Sequence, residues 1–460
     1  MTTQASRRAF LKRASALGVA GVAAPWAINL MSIAEAAAAT ATDYKALVCV
    51  FLYGGNDYAN TVVPYDAANY ALYQQLRPTI AYARDALTAT ALAPSTPVLD
   101  STGAARDFAL APALSPLLPI FNAGYMGVML NVGPLVQPTS KAQYQARSVP
   151  LPPKLFSHND QQSIWQSSAP EGSRSGWGGR LGDLFESANG NATFTCVNVS
   201  GNAVYMAGKS VSQYQVSPNG SMQFSGLKSP LFGSSAATDA FRTLITQPRT
   251  HSLENEYNRV TRRSVDANVA LTSALATAPA LTTVFPASNS LGDQLKMVAR
   301  MISANGSLGA KRQVFFVSMG GFDTHDSLAA THPVLMGKLA DAMSAFYQAT
   351  VELGVADKVT SFTASDFGRT LVANNDGSDH GWGSMHFMMG GAVKGKRFYG
   401  TAPVVANNGP DDVGQGRLLP STSVDQYAAT LGKWLGASDS ELLTLLPNLA
   451  NYSTRDLGFL

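Results

Sequence analysis

Apolar positions in this chain gather into short continuous runs, and most runs are closed by glycine, asparagine or acidic residues. Leu47-Val48-Cys49-Val50-Phe51-Leu52 is the first, and Gly54-Gly55-Asn56-Asp57 follows it at once. A run of that length without polar alternation predicts a strand buried on both faces. Gly127–Val132, Phe194–Val199, Gln313–Ser318 and Val359–Thr363 read the same way. Between them the period lengthens to that of helices: Asp160–Ser167, Trp177–Ser187, Leu253–Leu275, Leu291–Ser303, Pro333–Leu353, Val424–Leu435 and Ser440–Leu446. Pro116 and Pro119 limit Leu114–Asn122 to a turn or two of helix. Residues 135–180 are loop-rich. Residues 200–240, rich in Ser, Gly, Asn and Gln, predict an inserted lobe of loops with short strands at best.

Strands alternating with helices predict an α/β layered fold with a mostly parallel sheet, whose functional loops lie at the carboxyl ends of the strands. Only 14% of residues are charged and 40 are glycine, which fits a large buried core with tight loops and excludes a disordered chain.

The first 39 residues stand apart. Arg7, Arg8, Lys12 and Arg13 precede an apolar stretch, Ala14–Met31, and an alanine-rich segment with small-residue cleavage sites. Ser6-Arg7-Arg8-Ala9-Phe10-Leu11-Lys12 has the layout of a twin-arginine export signal. A retained membrane anchor is the alternative, weakened by Pro25 and by the modest apolarity of the stretch. The expectation is therefore a signal over 1–39, a single domain over 40–460, and a periplasmic or secreted location with no stable membrane span after cleavage.

Export also explains the charge. The whole chain has 33 Lys+Arg and 30 Asp+Glu; cleavage after Ala39 removes four basic residues and Glu35, leaving 29 of each. A neutral mature chain without a basic run gives no support to a nucleic-acid partner. Cys49 and Cys196 both sit in apolar runs and are expected as buried thiols, although an oxidising compartment permits a disulfide.

Four polar clusters carry candidate chemistry. Gly54-Gly55-Asn56-Asp57 places Asp57 at a strand end as an anionic ligand or as the anchor of an Asx turn. Gly320-Gly321-Phe322-Asp323-Thr324-His325 brings Asp323 and His325 together, two types that suit zinc or a similar ion. In Ser365-Asp366-Phe367-Gly368-Arg369-Thr370, Asp366 is a further ligand candidate. Arg369 would grip an anionic group or pair with an aspartate. Asp379-His380-Gly381, with His386 beyond it, completes the set, whereas His332, before Pro333, reads as structural. Carboxylates converging from three loops repel one another unless a cation sits among them, so a divalent metal, zinc or calcium, is expected. Ser157-His158-Asn159-Asp160-Gln161 precedes a helix. Ser157 is there a candidate nucleophile or a helix cap, and His158 a ligand or substrate contact.

Taken in order, Gly54–Tyr65, Ser157–Gln161, Gly320–His325, Asp366–Thr370, Asp379–Gly381 and Gly390–Gly395 resemble the domain-of-unknown-function 1501 family over nearly all of the mature chain. The family is similar in fold to the alkaline phosphatase and sulfatase superfamily. The resemblance implies a three-layer alkaline-phosphatase-like fold, with a central mostly parallel sheet between helices and a metal site at the strand ends. It puts Asp57 in the first acidic metal position, Asp323 and His325 in the Asp/His pair, Asp366 in the later acidic position and His380 in the last histidine position. Three features depart from phosphatases: the separation between Asp323 and His325 is tighter than in the phosphatase pattern, Phe367 stands where a histidine is expected, and no sulfatase-type nucleophile motif is present. The resulting expectation is an exported metal-dependent hydrolase of a phosphate, sulfate or related ester, with Ser157, His158 and Arg369 as catalytic candidates and a small anionic ester as substrate. The alternative is a non-catalytic periplasmic metal-binding or assembly protein that meets a periplasmic partner.

Overall fold

A computed structural model describes residues 43–460 except 222. The export segment expected over 1–39 lies outside the described residues. Among the described residues no helix is long and apolar enough to cross a membrane.

The strands of the main sheet are β1 (Lys45–Leu52), β2 (Met126–Gly133), β3 (Cys196–Asn198), β4 (Tyr214–Ser217), β5 (Gly220–Ser221), β6 (Arg312–Met319) and β7 (Val359–Ser365). Beyond them, β8 (Arg369–Ala373) and β9 (Ser378–His380) form a separate hairpin, and β10 (Ser384–Met389), β11 (Arg397–Tyr399) and β12 (Thr422–Ser423) return to the sheet. The order is β11-β2-β10-β7-β1-β6-β3-β4-β5, with β12 also on β2. β1 lies at the centre and runs parallel to both β6 and β7. β10 is antiparallel to both of its neighbours and β5 to β4, while the remaining pairs are parallel, so the sheet is mostly parallel.

Successive residues of β1 face opposite layers, as the period of two requires. Val48, Val50 and Leu52 pack with Leu295 and Ile302 of α3 (Ser290–Ser303) and with Met336, Leu339 and Phe346 of α4 (Leu328–Glu352). Leu47, Cys49 and Phe51 pack with Trp165 of α1 (His158–Ser167), Leu181 and Phe185 of α2 (Trp177–Phe185), and Tyr427 and Leu431 of α5 (Val424–Leu435). Burial contributes about 1.5–3 kcal/mol for each such side chain, and the sheet is thereby fixed between two helical layers. Cys49 and Cys196 are both buried and free.

Register positions the site. Leu52 at the end of β1 pairs with Met319 of β6 and Ser365 of β7. Three carboxyl ends therefore finish level, and the loops bearing Asp57, Asp323 and Asp366 leave the sheet side by side. Two regions differ from the sequence expectation. Residues 200–240 hold β4 and β5, as expected, but helix also begins there, over Ser225–Lys228 and Ser235–Thr246. The polar stretch after Asp366 is not loop but the β8–β9 hairpin, and the methionine-rich β10 enters the core of the sheet.

Candidate metal centre

The β1 loop makes the first close approach. Gly54 has φ +117°, and a Cβ there would lie 2.4 Å from the backbone nitrogen of Asp323; a Cβ on Gly55, at φ +84°, would meet the Phe367 ring at 2.4 Å. Glycine is required at both positions because the chain passes between the β6 and β7 loops in a conformation that side chains rarely adopt. From this crossing the Gly54 amide donates to Asp366 Oδ2 (3.1 Å), and its carbonyl accepts from Arg369 Nη1 (3.1 Å).

Asp366 is fully buried and acts as a base plate. Besides the Gly54 amide, its Oδ2 accepts from Gln162 Nε2 and lies on His158 Nδ1, each at 2.7 Å. Both side chains hang from the first turn and a half of α1, four residues apart on one face. The hydrogen bond to Asp366 raises the His158 pKa against its partial burial.

The histidine tautomers follow from their partners. A carboxylate or a carbonyl only accepts, so the ring nitrogen facing it carries the hydrogen. His158 Nδ1 faces Asp366, His325 Nδ1 faces Asp379 Oδ1 at 3.1 Å, and His380 Nδ1 faces the Phe156 carbonyl at 2.8 Å. In the neutral ring each Nε2 therefore presents a lone pair, and all three point at the Asp323 carboxylate. His158 Nε2 lies 3.4 Å from Oδ2, while His325 and His380 Nε2 lie 3.2 and 3.3 Å from Oδ1 and 2.9 Å from each other. Atoms on a tetrahedral zinc are about 3.3 Å apart. Without a cation or shared protons, acceptors would face acceptors. Burial holds the His380 pKa below its ordinary value. Nδ1 hydrogens anchored by acceptors are the usual backing of metal-bound imidazoles.

The cluster is open on one side. The Asp323 side chain is 45% exposed and the His158 and His380 side chains 27% and 25%, so an ion or a ligand has access. Phe367 closes the opposite wall, its ring 4.8 Å from that of His158 and 4.7 Å from that of His380. The structure thus joins His158, Asp323, His325 and His380, with Asp366 directly behind them.

The other sequence candidates sit elsewhere or act differently. Asp57 is fully buried and away from the imidazoles. Its Oδ2 takes Arg77 Nη2 at 2.5 Å and the Ser378 hydroxyl at 2.7 Å, and its Oδ1 takes the Asn60 amide at 2.9 Å. The structure thus places Asp57, expected as a metal ligand, among these donors and outside the imidazole cluster. Burial would raise its carboxyl, but Arg77 outweighs that and holds the pKa below the usual value. Arg369, expected to grip a substrate anion, has no exposed side-chain surface. It donates to Asp323 Oδ1 (2.6 Å), the Gly54 carbonyl, and both oxygens of Ser378. It positions Asp323 instead, and it overcomes the burial that would raise that carboxyl, so the Asp323 pKa is lowered. Ser157 occupies the N-cap position of α1 without capping it, because its hydroxyl donates to Asp160 Oδ2 at 3.0 Å. His332 and His386 are fully buried outside the cluster, with pKa values pushed down to about 4 and about 3 by burial.

Sequence reasoning missed Arg77, Gln162, Ser378, Asp379 and the Phe156 carbonyl. Asp379 alone carried a signal, as the neighbour of His380. The rest are ordinary residues whose roles exist only in three dimensions.

The family described as Protein of unknown function (DUF1501) matches residues 44–444, so the chain belongs to it. No curated protein matches. Among solved structures, Ps i-CgsB in complex with k-i-k-neocarrahexaose is similar at 10% identity over 89% of this chain and 77% of that one, with a TM-score of 0.36. The lipoteichoic acid synthase LtaP from Listeria monocytogenes gives 9%, 87%, 74% and 0.32. BT1596, a 2-O GAG sulfatase, gives 11%, 86%, 71% and 0.30. Likeness at this level says nothing of activity.

Proposed function

We propose that this member of the DUF1501 family is an exported metal-dependent hydrolase of a phosphate, sulfate or related ester. The observation that carries the reading is the meeting of three Nε2 lone pairs with one carboxylate, each imidazole backed through Nδ1 by an acceptor. Three nitrogens and a carboxylate suit a zinc-type ion better than calcium, which takes oxygen ligands. When bound, such an ion polarises an ester oxygen and lowers the pKa of water. The chain's own part is to hold the donors. Asp366, Asp379 and the Phe156 carbonyl keep the Nδ1 hydrogens, Arg369 fixes Asp323, and Phe367 excludes water from one side. Ser157 is the candidate nucleophile, with its hydroxyl proton already directed at Asp160.

Protein purified from cells without chelator is expected to carry a zinc-type ion and to hydrolyse p-nitrophenyl phosphate or sulfate. Chelation should remove both ion and turnover. Binding should weaken as pH falls through the histidine range, because protons compete for Nε2, and His158, with its pKa raised by Asp366, protonates before His380, whose pKa burial lowers. Metal-free protein with an intact fold would refute the reading.

A second reading, a non-catalytic metal-binding or assembly protein, draws on the engagement of Arg369, which leaves that guanidinium unable to hold an ester anion. Chelation that lowers the melting temperature, from a preparation inactive on every ester tried, would favour it.

Export is part of the proposal and rests on Arg7 and Arg8. A variant with both changed to lysine is expected to stay in the cytoplasm uncleaved. Its normal appearance outside the cytoplasm would remove this element.

A further inference from the structure

We infer that the site takes a single divalent ion, and that two buried arginines supply the positive charge a second ion would otherwise bring. The inference rests on the metal reading above. Arg77 and Arg369 are both fully buried. Arg77 holds Asp57 and donates its other terminal nitrogen to the carbonyls of Thr370 (3.0 Å) and Leu371 (3.1 Å). Arg369 holds Asp323. Ser378 ties the two pairs together: its hydroxyl donates to Asp57 Oδ2 and accepts from Arg369 Nε at 3.4 Å.

The result is a continuous chain of alternating charge, Arg77–Asp57–Ser378–Arg369–Asp323, running from the interior to the ligand carboxylate. It answers the repulsion among the strand-end carboxylates with fixed guanidinium groups. Asp57 already accepts three hydrogen bonds, two of them on Oδ2, and so has little left to offer an ion. A second cation near Asp57 would also face Arg369 at close range with little water to screen the two. Among the described residues, the donor sets His158–Asp323–His380 and Asp323–His325–His380 both share Asp323 and His380, so they gather about one position.

Charge balance agrees. Asp57, Asp323, Asp366 and Asp379 against Arg77 and Arg369 leave two negative charges over. One divalent ion neutralises them, and a second would leave two positive charges without a partner.

The test is stoichiometry. The mature full-length chain, stripped with EDTA and dialysed, is titrated with zinc chloride by calorimetry, and bound zinc is counted by elemental analysis after gel filtration. One zinc per chain is expected. Asp57→Asn should keep that zinc with affinity lowered by less than about tenfold, the lower bound for groups that back a ligand directly, whereas Asp323→Asn should lose it. Two zinc ions per chain, or a folded Asp57→Asn variant that has lost its zinc, would overturn this inference and leave the metal reading standing. No zinc at all would overturn the metal reading itself. If Asp57→Asn does not fold, the wild-type count decides alone.

Discussion

Asp323→Ala should abolish ion binding and reduce ester hydrolysis by about a thousandfold or more, since an ion that polarises the reacting oxygen contributes several kcal/mol and each 1.4 kcal/mol is a factor of ten. Asp323 faces all three Nε2 atoms, so its loss removes the one anion around which the imidazoles are arranged. The fold should survive, because the side chain is nearly half exposed and its partner Arg369 keeps the Gly54 and Ser378 oxygens. Asp366→Asn should be milder: it leaves the lone pairs in place but weakens the hold on His158, and groups of that kind are worth about 10–100-fold in affinity or activity. Metal content and turnover on the two variants, with circular dichroism as the control for folding, check the ordering. An Asp323→Ala protein that retains its ion and its activity would place the chemistry elsewhere in the molecule.

The gradient from ligand to backing group also marks how far the sequence can be read. β1, β6 and β7 were legible because each is an unbroken apolar run, and burial on both faces leaves that signature whatever the tertiary context. β10 was not legible. Ser384–Met389 has no β-branched residue, and its place in the sheet comes from pairing with β2 and β7. His380 stood out because it sits in Asp-His-Gly with His386 six residues on, and Asp323, His325 and Asp366 because each follows a strand in a loop with more chemistry than a reversal needs. Asp57 stood out for the same reason, yet its environment differs. The Gly-Gly-Asn-Asp turn is the same string whether the aspartate meets a metal or an arginine, and the deciding residue, Arg77, lies at the end of the helix Ala67–Leu76, where nothing local marks it. Arg369 was ambiguous between anion grip and ion pair, and burial settles its direction. Repulsion among carboxylates called for a cation. Sequence alone does not tell whether that cation is an ion from solution or a guanidinium from twenty residues away.

That distinction makes Arg77 the most consequential residue outside the cluster. Arg77→Met is expected to destabilise the protein by about 3–5 kcal/mol, the cost of leaving a buried charge without its partner. Neither side chain has any exposed surface, so solvent does not soften the loss. Urea denaturation measures it, and a change under 1 kcal/mol would mean that Asp57 is not charged in the folded state. Acid should reveal the same pair from the other side. The folded pKa of Asp57 lies below its ordinary value near 3.8, so its contribution is complete above that value and is lost as pH falls through the lower folded one. Arg77→Met should flatten this acid limb. The double variant Asp57→Asn with Arg77→Met separates the two costs: it restores charge balance, yet the carbonyls of Thr370 and Leu371 still lack their donor. Stability should therefore recover in part, with a residual deficit of about 1–3 kcal/mol that belongs to the unpaired carbonyls and not to the ion pair.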